Sequence, residues 1–196
     1  TGLPVYIDKN AFECDGIIIV NRIKCHTAFR GKVESGLSKM LAIGLAKQKG
    51  ADMTHVFGFD SMPKNILAMS KISFSKLNII CGIGLIEDSF GHLSEVHVLY
   101  GKEISAEEPK LLVRANQLMA RFYVYGADAL IIQIQGKEIS GSGYDSNIIG
   151  RYNTPTHLGG PKFTAMGVLN LSDESENNAN GMGAADFASK RFYDKI

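Results

Sequence analysis

Surplus charge is missing from this sequence. Twenty-one Lys and Arg stand against twenty Asp and Glu, a formal net charge of +1 over 196 residues, so no electrostatic footprint points to nucleic acid or to an anionic membrane. Cysteine is scarce as well. Cys14, Cys25 and Cys81 share no metal-ligand spacing, and an odd count of three argues against a disulfide framework and for a reducing cytoplasm. The longest apolar runs are strand-sized, far short of the roughly 20 residues a membrane helix needs, and no signal-peptide pattern is read in the opening residues. Internal repeats and low-complexity tracts are lacking. No His-x-x-x-His or His/Cys constellation joins His92, His97 or His157 to His55, which leaves a protein-built zinc site without support. What remains is a globular chain, 45% hydrophobic, with core enough for one domain or parts of two and with small ligands as its expected partners.

The pattern of what is present predicts an α/β fold. Residues 16–23 form a continuous β-branched run, the signature of a strand buried on both faces. A loop follows, then Ser35 stands as an N-cap before a helical pattern over 36–49 that Gly50 ends as a C′ residue. From about 64 to 76 the chain turns mixed and less periodic, which places a domain junction near residue 70. Strands near 77–85 and 95–100, a helix from about 106 to 123 and a strand at 129–135 make the second part α/β too. Residues 136–162, rich in Gly, Ser, Asn, Thr and Pro, are too long for a plain connection and predict a functional loop. A strand near 163–171 and a helix from about 182 complete the reading, and residues 1–8 read as a strand entered from a turn.

Three residues of the first part could carry chemistry. Lys39 falls in the first turn of its helix, where a cation faces the positive end of the macrodipole at a penalty of roughly 0.3–1 kcal/mol. Its face continues with Ile43 and Ala46 and so looks covered, a setting that depresses a lysine pKa and makes the amine nucleophilic. The alternative is a surface lysine that snorkels. His26 follows a strand at the point where α/β proteins place their ligand crevice, with Arg22, Lys24 and Arg30 around it as for an anion; a structural loop histidine is the other reading. His55 lies past the same helix and could turn back toward that crevice. The glycine-rich run 136–145 follows a strand but is no Walker loop; it is a turn-rich loop or a substrate or anion nest.

Read together, Asn-Arg-Ile-Lys-Cys-His-Thr-Ala-Phe-Arg-Gly-Lys-Val-Glu-Ser-Gly-Leu-Ser-Lys-Met-Leu (21–41) and Gly-Leu-Ala-Lys-Gln-Lys-Gly-Ala (44–51) resemble the central segment of the lactate racemase family. The resemblance extends to residues 2–9 upstream and to 136–151 downstream. It implies a nickel-pincer nucleotide, a nicotinate-derived cofactor tethered to a lysine, whose sulfur and carbon atoms supply three nickel ligands while a histidine supplies the fourth. Lys39 matches the tethering lysine, His55 the nickel ligand, and His26 one of two histidines that alternate as general base and acid.

The function so implied is racemisation or epimerisation of a 2-hydroxy acid by proton-coupled hydride transfer, with cofactor-synthesis enzymes as partners. Because family members are about twice this length, the resemblance also implies an upstream segment of the same chain, two α/β domains with mainly parallel or mixed sheets, and a division into 1–70, the end of the first domain, and 71–196. The family's lactate-holding lysine and glutamine have no counterparts; Gly150 and Asn153 stand near those positions. Arg151 is the expected substitute, since a guanidinium binds a carboxylate bidentately, with Asp145 and Asn147 beside it and Gly150 leaving room for a larger substrate. A surface arginine paired with an acidic neighbour is the alternative. Near the end, Glu176-Asn177-Asn178-Ala179 replaces the family's His-Gly-Asn-Ala. A second class of function stays open, a protein of the same fold that binds a hydroxy acid or nucleotide without turnover. An ordinary nicotinamide oxidoreductase is disfavoured, because no Gly-x-Gly-x-x-Gly opens a helix after a strand.

Overall fold

The computed structural model describes residues 2–155 and 159–196. The fold is α/β, and the chain forms two compact units, Thr1–Ala120 and Arg121–Ile196. The division does not fall near residue 70. The mixed stretch 64–76 lies inside one helix, because the polar residues that blur its periodicity point inward and find partners there. Asn65 is buried and donates to the Thr54 carbonyl at 3.0 Å, and the buried Ser73 hydroxyl donates to the Met69 carbonyl.

In the first unit a short helix α1 (Lys9–Glu13) is capped by Asp8, whose carboxylate accepts from the Ala11 amide at 3.1 Å. Residues 2–8 form no strand. Strand β1 (Ile17–Arg22) leads through a loop to α2 (Leu37–Lys39), which runs straight into a π-helical turn over Met40–Gly44; α3 (Lys47–His55) and α4 (Met62–Lys76) follow. Then come β2 (Ile79–Glu87), β3 (Leu93–Tyr100) and α5 (Ile104–Leu118). The single helix expected over 36–49 is therefore broken. Lys47, at φ 56°, takes a left-handed conformation that no right-handed helix can run through. Gly50 sits inside α3 and not beyond a helix end, and a Cβ there would lie 2.0 Å from the Ala46 side chain.

The sheet of this unit is mixed, in the order β1-β2-β3, with β1 parallel to β2 and β2 antiparallel to β3. Ile17 and Ile19 turn one face toward Leu37, Leu41 and Ile104. At Gly82 the helices approach so closely that a Cβ would meet Leu37 and Ile104 at 2.7 and 2.8 Å. The other face is open: Ile18 and Val20 of β1 and Val96, Val98 and Tyr100 of β3 are exposed among the described residues. A strand buried on both faces was expected, and only one face of β1 is covered. A second core lies under the loop after β1, where Phe29, Val33, Ala42, Met62, Ile66 and Met69 are all buried.

The second unit holds a parallel sheet in the order β4-β5-β6, built from β4 (Gly126–Ile132), β5 (Lys162–Val168) and β6 (Phe187–Ala188). Helix α6 (Ser146–Ile149) lies between β4 and β5, and α7 (Lys190–Tyr193) follows β6. No long helix starts at 182. Gly181, at φ 94°, precedes a single 3-10 turn, and Asp186 then ties the chain to β5 by exchanging hydrogen bonds with the Met166 backbone.

Ile66 is fully buried in the loop-covering core. Ile66→Ala is expected to lower the unfolding free energy by about 3 kcal/mol, the usual result of deleting a large aliphatic side chain from a packed core. Urea denaturation measures this; a loss below about 1 kcal/mol would mean that the core under the loop collapses around the gap.

Candidate functional site around Lys39

The loop from β1 to α2 is shaped by two devices. Lys24 and Ser35 exchange backbone hydrogen bonds at 3.0 and 3.2 Å, which pinches its base into a small antiparallel bridge. Glu34 organises the interior. Its carboxylate, almost wholly buried, accepts from the His26 amide at 2.7 Å and the Gly31 amide at 3.1 Å and pairs with Arg30 at 3.6 Å. With these contacts the loop turns Phe29 and Val33 down into the core. Ser35 is engaged in this bridge and is not the helix cap; the residue preceding α2 is Gly36.

Phe29 is the floor of the site. The His26 imidazole stacks on its ring, with centroids 4.2 Å apart and planes inclined by 24°, and the Lys39 amine lies 5.6 Å from the ring centroid. His26 and Lys39, distant in the pattern of the sequence, are thus both brought to the Phe29 ring. The amide of Ala28 donates to Nδ1 of His26 at 3.1 Å, so the neutral ring carries its proton on Nε2. Burial is the largest cause that lowers the His26 pKa to about 3, and the charges of Lys39, Arg30, His55 and Lys24 act in the same direction. This histidine is neutral at physiological pH and offers an N–H, a donor to an oxygen.

Lys39 is half-buried and helps line an open cleft together with Asn21, Lys24, Ser35, Met40 and Ile43. Desolvation pushes its pKa below the ordinary lysine value, with Lys24 adding to the effect and Glu34 opposing it. The π-helical turn that follows is where the cleft wall forms: the Leu45 amide donates to the Met40 carbonyl at 2.8 Å across the widened turn. Such turns are rare and occur often at functional sites.

His55 ends α3. Its Nδ1 donates to the Ala51 carbonyl at 2.7 Å, which in the neutral tautomer puts the lone pair on Nε2 of this exposed residue, and Phe59 lies edge-on at 6.0 Å. A backbone carbonyl holding Nδ1–H is the support that metal-bound histidines commonly have. No group of three or more His, Cys, Asp or Glu side chains able to hold a metal is found among the described residues. His92 and His97 lie beside Asp88 and Glu95, and His157 is outside the described residues.

Asp145, Asn147 and Arg151 belong to the second unit. Asp145 caps α6, its carboxylate accepting from the Asn147 amide at 2.8 Å. Arg151 is committed within the fold: it pairs with Asp186 at 2.8 Å and donates to the carbonyls of Ala184, Phe163 and Thr164. A guanidinium held by four partners acts as a structural brace, which favours the alternative expectation of an arginine paired with an acidic neighbour over a clamp for a substrate carboxylate. Gly150, at φ 72°, closes α6, and a Cβ there would strike the Pro161 carbonyl oxygen at 2.0 Å; its role is backbone geometry and not room for substrate. The glycine-rich run 136–145 is folded by the Gly136 amide bonding to the Gly143 carbonyl at 3.0 Å and by Ser172 and Ser175 donating to Glu138.

The site also contains residues that the sequence did not reveal. Glu34 and Phe29 have no motif of their own; the one available signal for Phe29 was an aromatic residue amid a polar loop. Glu108, on α5, is 1% exposed and accepts from the Ser38 amide at 3.0 Å and from the Ser38 hydroxyl. Burial raises its pKa, against the hydrogen bonds from Ser38 and Leu37. No protein-family model, curated protein or solved structure matches the chain.

Two measurements test this geometry. In nitrogen-15 spectra, His26 is expected to stay neutral and protonated at Nε2 from pH 8 down to about 4, since its folded pKa is about 3. Unfolded, the ring takes up a proton near 6.5, so its contribution to stability is full above that value and declines as pH falls toward 3. A titration centred near 6.5, or a proton on Nδ1, would place the ring elsewhere. For Arg151→Ala, the expected outcome is a lower denaturation midpoint at pH 7. The Asp186 pKa is lowered first by the Met166 backbone amide and then by Arg151, so this stabilisation is complete above 3.8 and lost as pH falls through the depressed value. An Arg151→Ala protein as stable as its parent, but with weaker 2-hydroxy acid binding, would restore the substrate role.

Proposed function

We propose that this chain carries the cofactor-anchoring part of a nickel-dependent racemase or epimerase that acts on a 2-hydroxy acid, as its resemblance to the lactate racemase family implies. The observation that carries the reading is the half-buried Lys39, which lines an open cleft, has its amine near the Phe29 ring and has a lowered pKa. A lysine in that setting has more of its free amine at neutral pH, the form that can be acylated. The residues suit the nickel-pincer nucleotide: Lys39 would hold it covalently, and Nε2 of His55 would serve as the protein's ligand to nickel. When bound, that group supplies the acceptor for the substrate's α-hydrogen as hydride.

The chain's own residues do the rest. Phe29, buried beneath the loop, orients the His26 ring by stacking. His26 presents Nε2–H toward a substrate oxygen as a hydrogen-bond donor; to accept the hydroxyl proton at Nε2 it must first give up the Ala28 bond and shift its proton. That requirement is the specific observation in favour of the second reading, a protein that binds a hydroxy acid or nucleotide without turnover. The excess of cations near the cleft, with Lys24, Arg30 and Lys39 around Glu34, suits an anionic ligand in either case.

The upstream segment of the chain and the cofactor-synthesis enzymes belong to this proposal as partners. So does a cytoplasmic setting, which the three free thiols suit. No helix among the described residues is long and apolar enough to cross a membrane.

The test is maturation in the presence of the cofactor-synthesis enzymes, followed by peptide mass mapping and metal analysis. A nucleotide adduct is expected on the peptide containing Lys39, and His55→Ala is expected to fold and keep the adduct while losing nickel. An unmodified Lys39 in a preparation that racemises a 2-hydroxy acid overturns the assignment of the anchor, and full nickel retention in His55→Ala overturns that of the ligand.

A further inference from the structure

The buried carboxylate of Glu108 has no part in the chemistry proposed above, yet it contacts the start of the segment that carries Lys39. Among buried side chains a carboxylate is expensive to keep, and it is tolerated where donors surround it. Here the donors are the Ser38 amide, bonded to both carboxylate oxygens at 3.0 and 3.2 Å, the Ser38 hydroxyl, and the Leu37 amide. All of them belong to the turn that immediately precedes Lys39. Gly36 adds to the fit: a Cβ there would sit 2.1 Å from the nearer Glu108 oxygen, so the backbone and the carboxylate are in close approach. The Asn21 side chain holds the same turn from the strand side, donating to the Gly36 carbonyl at 2.9 Å.

We propose that Glu108 is the positioning residue for Lys39: by gripping Gly36–Ser38 from α5 it fixes the direction in which the Lys39 side chain leaves α2 and holds the amine at the cleft, near the Phe29 ring. The proposal rests on Lys39 being the reactive amine of the site, but it concerns how that amine is placed and can fail separately. Glu108 acts through the turn. The charges that act directly on the Lys39 amine are those of Glu34 and Lys24 on the loop, and the neutral His26 ring shares its aromatic floor.

Two consequences distinguish positioning from plain stabilisation. Releasing the turn lets the amine move toward water, where its charged form is solvated, so the pH at which Lys39 becomes reactive should rise. A residue that merely stabilises α5 against α2 would lower the unfolding midpoint and leave that pH unchanged.

The experiment is competitive labelling of the cofactor-free chain with trace acetic anhydride between pH 6 and 11. The Lys39 peptide is read by mass spectrometry, and the exposed Lys102 serves as internal reference for the reagent. In Glu108→Gln, which sets an amide NH₂ against the Ser38 N–H, the Lys39 labelling midpoint is expected to rise by about half a pH unit or more. Ser38→Ala keeps the carboxylate and removes one donor, and is expected to move the midpoint in the same direction by less; it decides the question if Glu108→Gln does not fold. An unchanged midpoint in a folded Glu108→Gln chain, or in Ser38→Ala where Glu108→Gln is lost, overturns the proposal. Because no cofactor is used, that result is independent of whether a nucleotide adduct forms on Lys39 in the matured protein.

Discussion

Burial of the Phe29 ring is the constraint on which the candidate site depends. A loop of mostly polar residues would otherwise have no reason to return to the body of the first unit. The ring is completely buried against Val33, Ala42, Met62, Ile66 and Met69, and removing a phenylalanine side chain from water contributes roughly 2–3 kcal/mol. That anchoring brings the loop onto the helices after α2 and sets the ring against His26 and Lys39. The same core therefore stabilises the unit and builds the surface on which the two side chains meet.

Two buried carboxylates, Glu34 and Glu108, work beside that core in different ways. Glu34 is paired with Arg30 and satisfied by two loop amides, so its negative charge is compensated within the loop. Glu108 accepts only from hydrogen-bond donors of the turn before Lys39 in the interactions described above, and burial keeps its pKa raised. Deleting either partner of such an arrangement leaves a buried group unsatisfied, which is usually worse than replacing both. Polar interior groups here specify where a loop and a turn must lie, a task that non-directional apolar contacts perform poorly.

The α/β class was legible because strand and helix periods differ, and β1, β2, β3 and α5 all lie within a few residues of where the pattern predicts them. The helix over 36–49 was misread because the pattern carries no sign of the left-handed Lys47 or of the widened turn over Met40–Gly44. Likewise, Gly50 looks like a helix end in sequence but is a close-packing site in space. The junction placed near 70 failed for a related reason: buried Asn65 and Ser73 are satisfied by backbone carbonyls, so polarity in α4 does not mean exposure. At the site, Lys39 and His26 could be singled out from neighbouring sequence, whereas Glu108 lies 70 residues from Ser38 and only the tertiary fold unites them.

The arrangement around Lys39 also constrains what can occupy the cleft. Lys24 and Lys39 line it, Arg30 is near enough for its charge to act on His26, and the opposing carboxylate, Glu34, is committed to the loop. A neutral ligand would leave that positive field uncompensated in a partly desolvated space. An anion with one or two charges would be drawn to it, and the neutral His26 adds a donor without adding charge. Burial is the main cause of the lowered Lys39 pKa, with Lys24 adding to it and Glu34 opposing it. A bound anion would act on the amine in the same sense as Glu34 and raise the value again.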